Sequence, residues 1–209
     1  MMEMEEIAML KPDDIKALIG VLSKEIAEHA DELTALDSAI GDGDHGYNMK
    51  RGFDALAGEA DTLSAKPIGE ALKAAGMKLV MTVGGASGPL FGTLLMTLGK
   101  EIGEMPDRAA FNAAFRKAVD SVAARGKSEK GQKTMLDVLY PISDALDGGA
   151  DGSGVTAAAE AAAEATIPIV ASRGRASFLG ERSAGHMDPG SRSVALLAKT
   201  IADFMETRR

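Results

Sequence analysis

The chain has 209 residues, 45% of them apolar and 4% aromatic, and no cysteine, so we expect residues 1–209 to form a single domain with a sizeable core and without disulfide or thiol chemistry. The net charge of −8 argues against nucleic acid or an anionic membrane as a main partner. The segment Met1–Lys11 carries acids where a signal peptide needs basic residues, and no apolar run approaches membrane length, so we expect a cytoplasmic protein.

Periodic apolar residues predict helices along the whole chain, with no strand-like alternation of useful length. Pro12 and the acids that follow it suit the first turn of a helix that we expect to end near Asp31. The other predicted helices are 48–60, 67–80, 90–102, 107–125, 134–145 with a kink at Pro141, 155–171 with a bend at Pro168, and 193–206. The expected fold is therefore all-α, with eight helices.

The most unusual stretch, Leu36–Gly46, follows the first predicted helix. It places the carboxylates of Asp37, Asp42 and Asp44 and the imidazole of His45 within nine residues, with glycines between them. Such a group of acids repels itself unless a cation neutralises it, and Mg²⁺ typically takes a few carboxylates and further ligands from substrate phosphates. We therefore predict a metal site on a loop between two helices. The alternative is a solvated turn with helix-capping aspartates.

Two known binding loops fit this stretch poorly. The glycines of Gly41–Gly46 match a dinucleotide-binding pattern, but the aspartates would face the pyrophosphate and no β-strand pattern precedes them. A calcium loop that begins at Asp42 needs Glu at its twelfth position, where Phe53 stands, and one that begins at Asp37 has Asn48 there. We exclude both.

The segment Thr82–Pro89 interrupts helical periodicity with small and hydroxyl-bearing residues just before a predicted helix. Exposed backbone N–H groups and the helix dipole would favour an anion there. An ordinary tight turn between two helices is the alternative. Gly126-Lys127-Ser128 resembles part of a phosphate-binding loop, but Ser121 occupies the position of the required upstream glycine.

The last irregular segment, 173–190, runs for 18 residues without periodicity, which suggests a binding function. It carries Arg173, Arg175 and Arg182, and guanidinium groups suit phosphates. Asp188 and Pro189 also suit the start of the final helix, and this capping role is an alternative explanation for them.

The order of these segments predicts that they converge. In an up-and-down helical array, successive connections alternate between the two ends. The acidic loop, the Gly-Gly-Ala-Ser loop, the Arg125-Gly-Lys turn and the arginine-bearing segment follow the first, third, fifth and seventh predicted helices. All four therefore lie at one end, and together they predict a nucleotide-phosphate site.

Four runs of sequence, in order and over essentially the whole chain, resemble the nucleotide-binding L subunit of dihydroxyacetone kinase. They are Gly41-Asp-Gly-Asp-His-Gly-Tyr-Asn-Met49, Gly84-Gly-Ala-Ser-Gly-Pro-Leu-Phe-Gly-Thr93, Arg125-Gly-Lys with Gly131-Gln-Lys-Thr-Met135, and Gly174-Arg-Ala-Ser-Phe-Leu-Gly-Glu-Arg-Ser with His186-Met-Asp-Pro-Gly190. The resemblance implies a closed barrel of eight up-and-down antiparallel amphipathic helices, with the nucleotide in the loops at one end.

The resemblance also implies the site residues. It gives Asp37, Asp42 and Asp44 the role of holding two Mg²⁺ ions bridged to nucleotide phosphates. Arg175 would add a fixed positive charge beside the transferred phosphoryl group, so these four are the candidate catalytic residues. The positions that match nucleotide contacts of the family are His45, Gly46, Tyr47, Asn48, Ala86, Ser87, Gly126, Met135, Arg175, Asp188, Pro189 and Gly190.

The family has two branches. In one, the L part is fused to a substrate-binding K part and consumes ATP. In the other, a separate L subunit keeps ADP bound, and a phosphohistidine protein of the phosphotransferase system rephosphorylates it. The run 45–49 follows the second branch more closely, so we expect a K-type partner that binds dihydroxyacetone or a related ketose, a phosphohistidine donor, and bound ADP with Mg²⁺.

Three alternatives remain. The first is an ATP-dependent L subunit of another ketose or sugar kinase. The second is a dinuclear metal phosphohydrolase that uses His45 and His186 with the aspartates. The third is a regulatory subunit that binds nucleotide without turnover.

Overall fold

The computed structural model describes residues 10–103 and 106–208. Most of the segment that argues against a signal peptide, residues 1–9, lies outside them. The described residues form ten α-helices and one 3₁₀ segment, and they contain no β-strand. The helices are α1 (Pro12–Glu28), α2 (Ala30–Ile40), α3 (His45–Gly58), α4 (Ala60–Ser64), α5 (Ile68–Thr82), α6 (Ser87–Glu101), α7 (Arg108–Gly126), α8 (Leu136–Asp147), α9 (Gly152–Ala165) and α10 (Pro189–Glu206), with the 3₁₀ segment at Arg175–Ser183.

The described residues hold two more helices than the eight expected, because α2 and α4 follow directly on the first two predicted helices. α2 runs from Ala30 into the stretch predicted as a loop, and α4 begins where the second predicted helix was expected to end. The first helix breaks at His29, whose backbone leaves the helical region and whose ring lies between Glu25 and Glu32, 3.3 Å and 2.6 Å away. A second break at Glu59 separates α3 from the short α4.

A proline explains the other large difference between the predicted and the observed helices. The predicted helix over 155–171 ends at Ala165 in the structure, because a proline at 168 removes a donor and disfavours helical backbone at the residue before it. In α8, by contrast, the helix continues through Pro141. The long helices otherwise lie where the periodicity places them, and all-α structure is confirmed for the described residues.

The helices pack in sequence order. From α5 onward each long helix packs against the next, α3 packs against both α1 and α5, and α10 returns to α1. Every one of the ten helices contributes to one buried apolar cluster, which includes Leu33, Met49, Val119, Leu136 and Val194. No helix among the described residues is long and apolar enough to cross a membrane.

Glycines allow α5 and α6 to approach unusually closely. A Cβ atom added at Gly76 would lie 2.8 Å from the carbonyl oxygen of Gly92, and one at Gly69 would lie 2.7 Å from that of Gly99. These contacts are backbone atoms of the facing helix, which cannot move aside as a flexible side chain does. The two pairs bring the ends of α5 and α6 into register, so that the loop between them is fixed at one end of the array.

We therefore expect Gly76→Ala to lower the free energy of unfolding by roughly 1–3 kcal/mol, the usual cost of overpacking. Gly20, on the exposed surface of α1, is the matched control because nothing lies within 4 Å of an added Cβ there. Gly20→Ala should raise stability by about 0.5–1 kcal/mol, since alanine is the better helix former. Urea unfolding of both variants measures these changes, and equal effects of the same sign would refute the close approach of α5 and α6.

Candidate functional site

An open cavity of about 420 Å³ lies at one end of the helical array. Residues from four connecting segments line it: the α2–α3, α5–α6, α7–α8 and α9–α10 connections. These are the four irregular segments that the alternation of helix ends predicted to meet.

Three carboxylates form one side of the cavity. Oxygen atoms of Asp37, Asp42 and Asp44 all lie within 4.8 Å of one another. Asp37 is buried, whereas Asp42 and Asp44 are exposed. Three oxygen donors this close, open to a cavity on one side, are the ligand set that a hard divalent cation such as Mg²⁺ prefers. The observed donor set therefore fits the metal predicted from the sequence.

Asp37 does not belong to the loop in which the sequence placed it. It lies in the last turn of α2, and its Oδ2 accepts hydrogen bonds from the backbone N–H groups of Asp44 (2.9 Å) and His45 (3.1 Å). A Cβ atom at Gly41 would lie 2.1 Å from Asp37 Oδ1, so only glycine fits there. The helix thus fixes one carboxylate, and that carboxylate in turn folds the bend that carries the other two.

His45 connects two helix starts. Its Nδ1 lies 3.0 Å from Ser87 Oγ and its Nε2 lies 3.1 Å from Ser193 Oγ. Ser193 Oγ donates its proton to the carbonyl of Gly190 at 3.0 Å, so it accepts from the Nε2–H of His45. Burial lowers the pKa of His45, although the charges of Asp37 and Asp44 oppose this. The ring is therefore neutral at pH 7 and holds α6 and α10 in fixed relation.

Four helices begin at the cavity. Their first residues, His45 of α3, Ser87 of α6, Leu136 of α8 and Pro189 of α10, all line it. No side chain caps the N-terminus of α6, which follows Gly85 in left-handed backbone conformation. Helix N-termini present N–H groups and partial positive charge, so these helix starts favour anions in the cavity.

Basic side chains strengthen that preference. Arg125, Arg173 and Arg175 line the cavity, whereas Arg182 and His186 are exposed and do not. Arg175 Nη2 lies 3.0 Å from Asp42 Oδ2. The guanidinium group of Arg175 is thus paired with one carboxylate of the triad.

A buried lysine in the α7–α8 connection also lines the cavity. Lys133 is 1% exposed and has left-handed backbone at φ 62°. Burial lowers its pKa, and the nearby charges of Asp188 and Asp137 oppose that change. Asp188 caps α10 by accepting the backbone N–H of Ser191 at 2.6 Å. Burial raises the pKa of Asp188 to about 6, while the hydrogen bonds from Ser191 act in the opposite direction.

Most of the residues proposed from the sequence meet in this cavity. Those that line it are Asp37, Asp42, Asp44, His45, Asn48, Ala86, Ser87, Gly126, Met135, Arg175, Asp188, Pro189 and Gly190. Gly46 and Tyr47 do not. An added Cβ at Gly46 would lie 1.9 Å from the carbonyl oxygen of Ala30, and Tyr47 is exposed with its hydroxyl donating to Asp31. Packing explains the first, and contact of either with a nucleotide stays a prediction.

Sequence reasoning missed two contributors. Ser193 stands out in the sequence only as the start of a helix, and Lys133 only as one letter of a run. Both act through partners that are distant in sequence, so no local pattern marks them. Arg125, in the last turn of α7, lies at the end of the array where the alternation argument places its turn.

The arrangement defines an all-helical protein in which a carboxylate triad, helix N-termini and arginines meet in one cavity. The model of the DAK2 domain family matches residues 39–203, and the chain belongs to this family. It is 41% identical over 180 residues to the ADP-binding subunit of the PEP-dependent dihydroxyacetone kinase of Escherichia coli, covering 81% of this chain and 86% of that protein. It is 35% identical over 197 residues to the ADP-binding subunit of the PTS-dependent dihydroxyacetone kinase of Lactococcus lactis, covering 94% of this chain and 100% of that protein.

Solved structures show the same fold. The dihydroxyacetone kinase from C. freundii, crystallised in complex with AMP-PNP and Mg²⁺, aligns with a TM-score of 0.75 and 22% sequence identity. The alignment covers 90% of this chain and 33% of that one. At this identity the likeness supports the helical fold and does not by itself transfer the ligands.

Proposed function

We propose that this chain is the ADP- and Mg²⁺-binding, phosphoryl-transferring subunit of a kinase for dihydroxyacetone or a related ketose. The observation that supports this most directly is the single cavity that joins the carboxylate triad, the uncapped start of α6 and Arg175. The pairing of neighbouring helices and of α10 with α1 supports the closed barrel of eight up-and-down helices, with α1–α2 and α3–α4 each counted as one.

The site residues would divide the work. Asp37, Asp42 and Asp44 would hold two Mg²⁺ ions, which when bound neutralise charge on phosphate oxygens. The backbone N–H groups at the start of α6 would bind the terminal phosphate, and Arg175 would compensate charge that develops on the transferred group. No side chain needs to act as a nucleophile, because phosphoryl transfer requires mainly alignment and charge neutralisation.

The names of the relatives support a protein partner and a phosphoprotein donor. The Escherichia coli and Lactococcus lactis relatives are ADP-binding subunits of PEP-dependent and PTS-dependent kinases. We propose that this chain likewise works with a K-type subunit that binds the ketose, and that a phosphohistidine protein rephosphorylates its bound ADP in the cytoplasm. The 90% exposed ring of Phe178, on the 3₁₀ segment that also carries Arg175, is a suitable contact for such a subunit.

A metal phosphohydrolase is the less favoured function. The hydrolase hypothesis requires the imidazoles of His45 and His186 beside the triad. His186 does not line the cavity, and both ring nitrogens of His45 are within hydrogen-bond distance of Ser87 and Ser193.

The function is tested with three reactions that contain this protein and a K-type subunit from the same organism. One receives ATP, one receives phosphoenolpyruvate with the phosphotransferase proteins, and one receives neither. We expect sustained ketose phosphorylation only in the second, and native mass spectrometry should show ADP and two Mg²⁺ retained on this chain. Sustained turnover on ATP alone would refute the donor while leaving the kinase assignment intact. Phosphate release by this chain alone would favour the hydrolase.

A further inference from the structure

The ammonium group of Lys133 lies in a cage of backbone carbonyls. Its Nζ donates to the carbonyl oxygens of Thr166 at 2.7 Å, Ile169 at 3.1 Å and Ile167 at 3.3 Å, and it also donates to that of His186. These contacts join residue 133, in the α7–α8 connection, to both ends of the α9–α10 connection.

The carbonyl groups that form this cage belong to the α9–α10 connection, which also carries Arg173 and Arg175. Thr166–Ile169 comes just before the arginine-bearing stretch, and His186 comes two residues before the cap of α10. The Thr166 hydroxyl oxygen additionally accepts the backbone N–H of Asp188 at 3.1 Å. Both ends of the segment that contains Arg173 and Arg175 are therefore held through one ammonium group.

The α7–α8 connection, which carries Lys133, is itself fixed by hydrogen bonds with side chains. Asp137 accepts the backbone N–H groups of Gly131 and Thr134, on either side of Lys133, and Ser191 Oγ donates to the Thr134 carbonyl at 2.9 Å. A non-glycine residue in left-handed conformation costs free energy and persists where its surroundings fix it. Lys133, which donates to the carbonyl groups of the cage, has such a backbone conformation.

We propose that Lys133 is a positioning residue of the nucleotide site: its buried ammonium fixes the 166–188 connection, and thereby Arg173, Arg175 and Asp188, around the cavity. This inference rests on the proposed ADP-binding function. The lysine does not itself need to touch the nucleotide. Its loss should loosen the connection, and ADP should leave faster.

The test compares release of a fluorescent ADP analogue, in Mg²⁺, from four forms of the full chain well below their melting temperatures. Lys133→Met keeps the apolar stem but no donor, and Lys133→Ala removes a propylammonium group. Lys66→Met is the control, because Lys66 is exposed in the α4–α5 connection and does not line the cavity. We expect release about tenfold or more faster in both Lys133 variants, as for the loss of charged hydrogen bonds, and unchanged release in Lys66→Met.

Chemical rescue separates a positioning ammonium from packing alone. Added propylammonium should slow release from Lys133→Ala, whereas propan-1-ol of the same size should not. Wild-type release rates in the folded Lys133 variants, or faster release that the alcohol restores as well as the amine, or that neither restores, would overturn the proposal.

Hydrogen exchange without nucleotide provides a readout that does not depend on the proposed function. The amides of 166–188 should exchange faster in Lys133→Met than in Lys66→Met, and those of α5 and α6 should be unchanged. Equal exchange in 166–188 would overturn the proposal even if ADP binds. If the wild-type protein fails to bind ADP, the exchange result still tests Lys133, so the two ideas can fail separately.

Discussion

Replacing Asp37, Asp42 or Asp44 with alanine should weaken binding of Mg²⁺ with ADP by about 100-fold or more in each case. Loss of a group that merely orients a metal ligand typically costs 10–100-fold, and a direct ligand should cost at least as much. The three carboxylates lie within 4.8 Å of one another, so each is placed to share the same cation. Isothermal titration calorimetry with ADP at fixed Mg²⁺ measures the effect.

Stability separates the three variants. Asp42 and Asp44 are exposed, so their removal should leave the free energy of unfolding nearly unchanged or slightly raised, because repulsion among the acids falls. Asp37 is buried and accepts two backbone N–H groups, whose loss of a partner costs about 1–3 kcal/mol. Asp37→Ala should therefore lose both affinity and stability.

The matched control is Asp61→Ala. Asp61 is an exposed carboxylate paired with Lys16 on the surface, so this variant removes one negative charge far from the cavity. Unchanged ADP affinity in all three site variants would reject the metal assignment. An equal loss in Asp61→Ala would attribute the effect to net charge instead of coordination.

The sequence predicts the convergence of the site better than its details. Dense acids and glycines at 41–46 indicate a cation loop because few other structures tolerate that composition, and the alternation of helix ends places this loop near Arg175. Both arguments use local pattern and simple topology. The structure brings these segments together around one cavity, although their contact with a nucleotide stays a prediction.

Contacts between distant segments explain what the sequence could not show. The chain leaves the first helix at His29, whose ring lies between two glutamates, and α2 begins directly after this break. α2 then brings Asp37 to the site on a helix. The sequence around Lys133 gives no sign of its positioning role. A lysine near a phosphate site would instead suggest direct contact with a phosphate. Only the fold shows that its ammonium faces carbonyl groups that follow it by more than 30 residues.

Arg175→Met should change affinity for metal and for nucleotide in opposite directions. In the structure Arg175 Nη2 lies 3.0 Å from Asp42 Oδ2, so the guanidinium places a positive charge beside the triad. A divalent ion that binds Asp42 must compete with this ion pair. Phosphate groups, when present, offer Arg175 another partner.

Without nucleotide, the variant should bind Mn²⁺ more tightly by a factor of about 2–5, the range for an ion pair between exposed side chains. Mg²⁺ with ADP should bind about 10- to 100-fold more weakly, because the phosphates lose a charge-assisted contact. Electron paramagnetic resonance of free Mn²⁺ measures the first change and calorimetry measures the second.

Arg182→Met provides the control for this pair of measurements. Arg182 lies on the same 3₁₀ segment but is exposed and does not line the cavity, so both affinities should stay at the wild-type value. If Arg175→Met weakened Mn²⁺ and ADP binding alike, the arginine would act by shaping the site and not by competing with the cation. If Mn²⁺ affinity alone were unchanged, the Asp42 pair would contribute nothing to metal binding. Opposite changes in the two affinities are expected from a positive charge beside Asp42 and not from a general loosening of the 3₁₀ segment, which cannot strengthen metal binding.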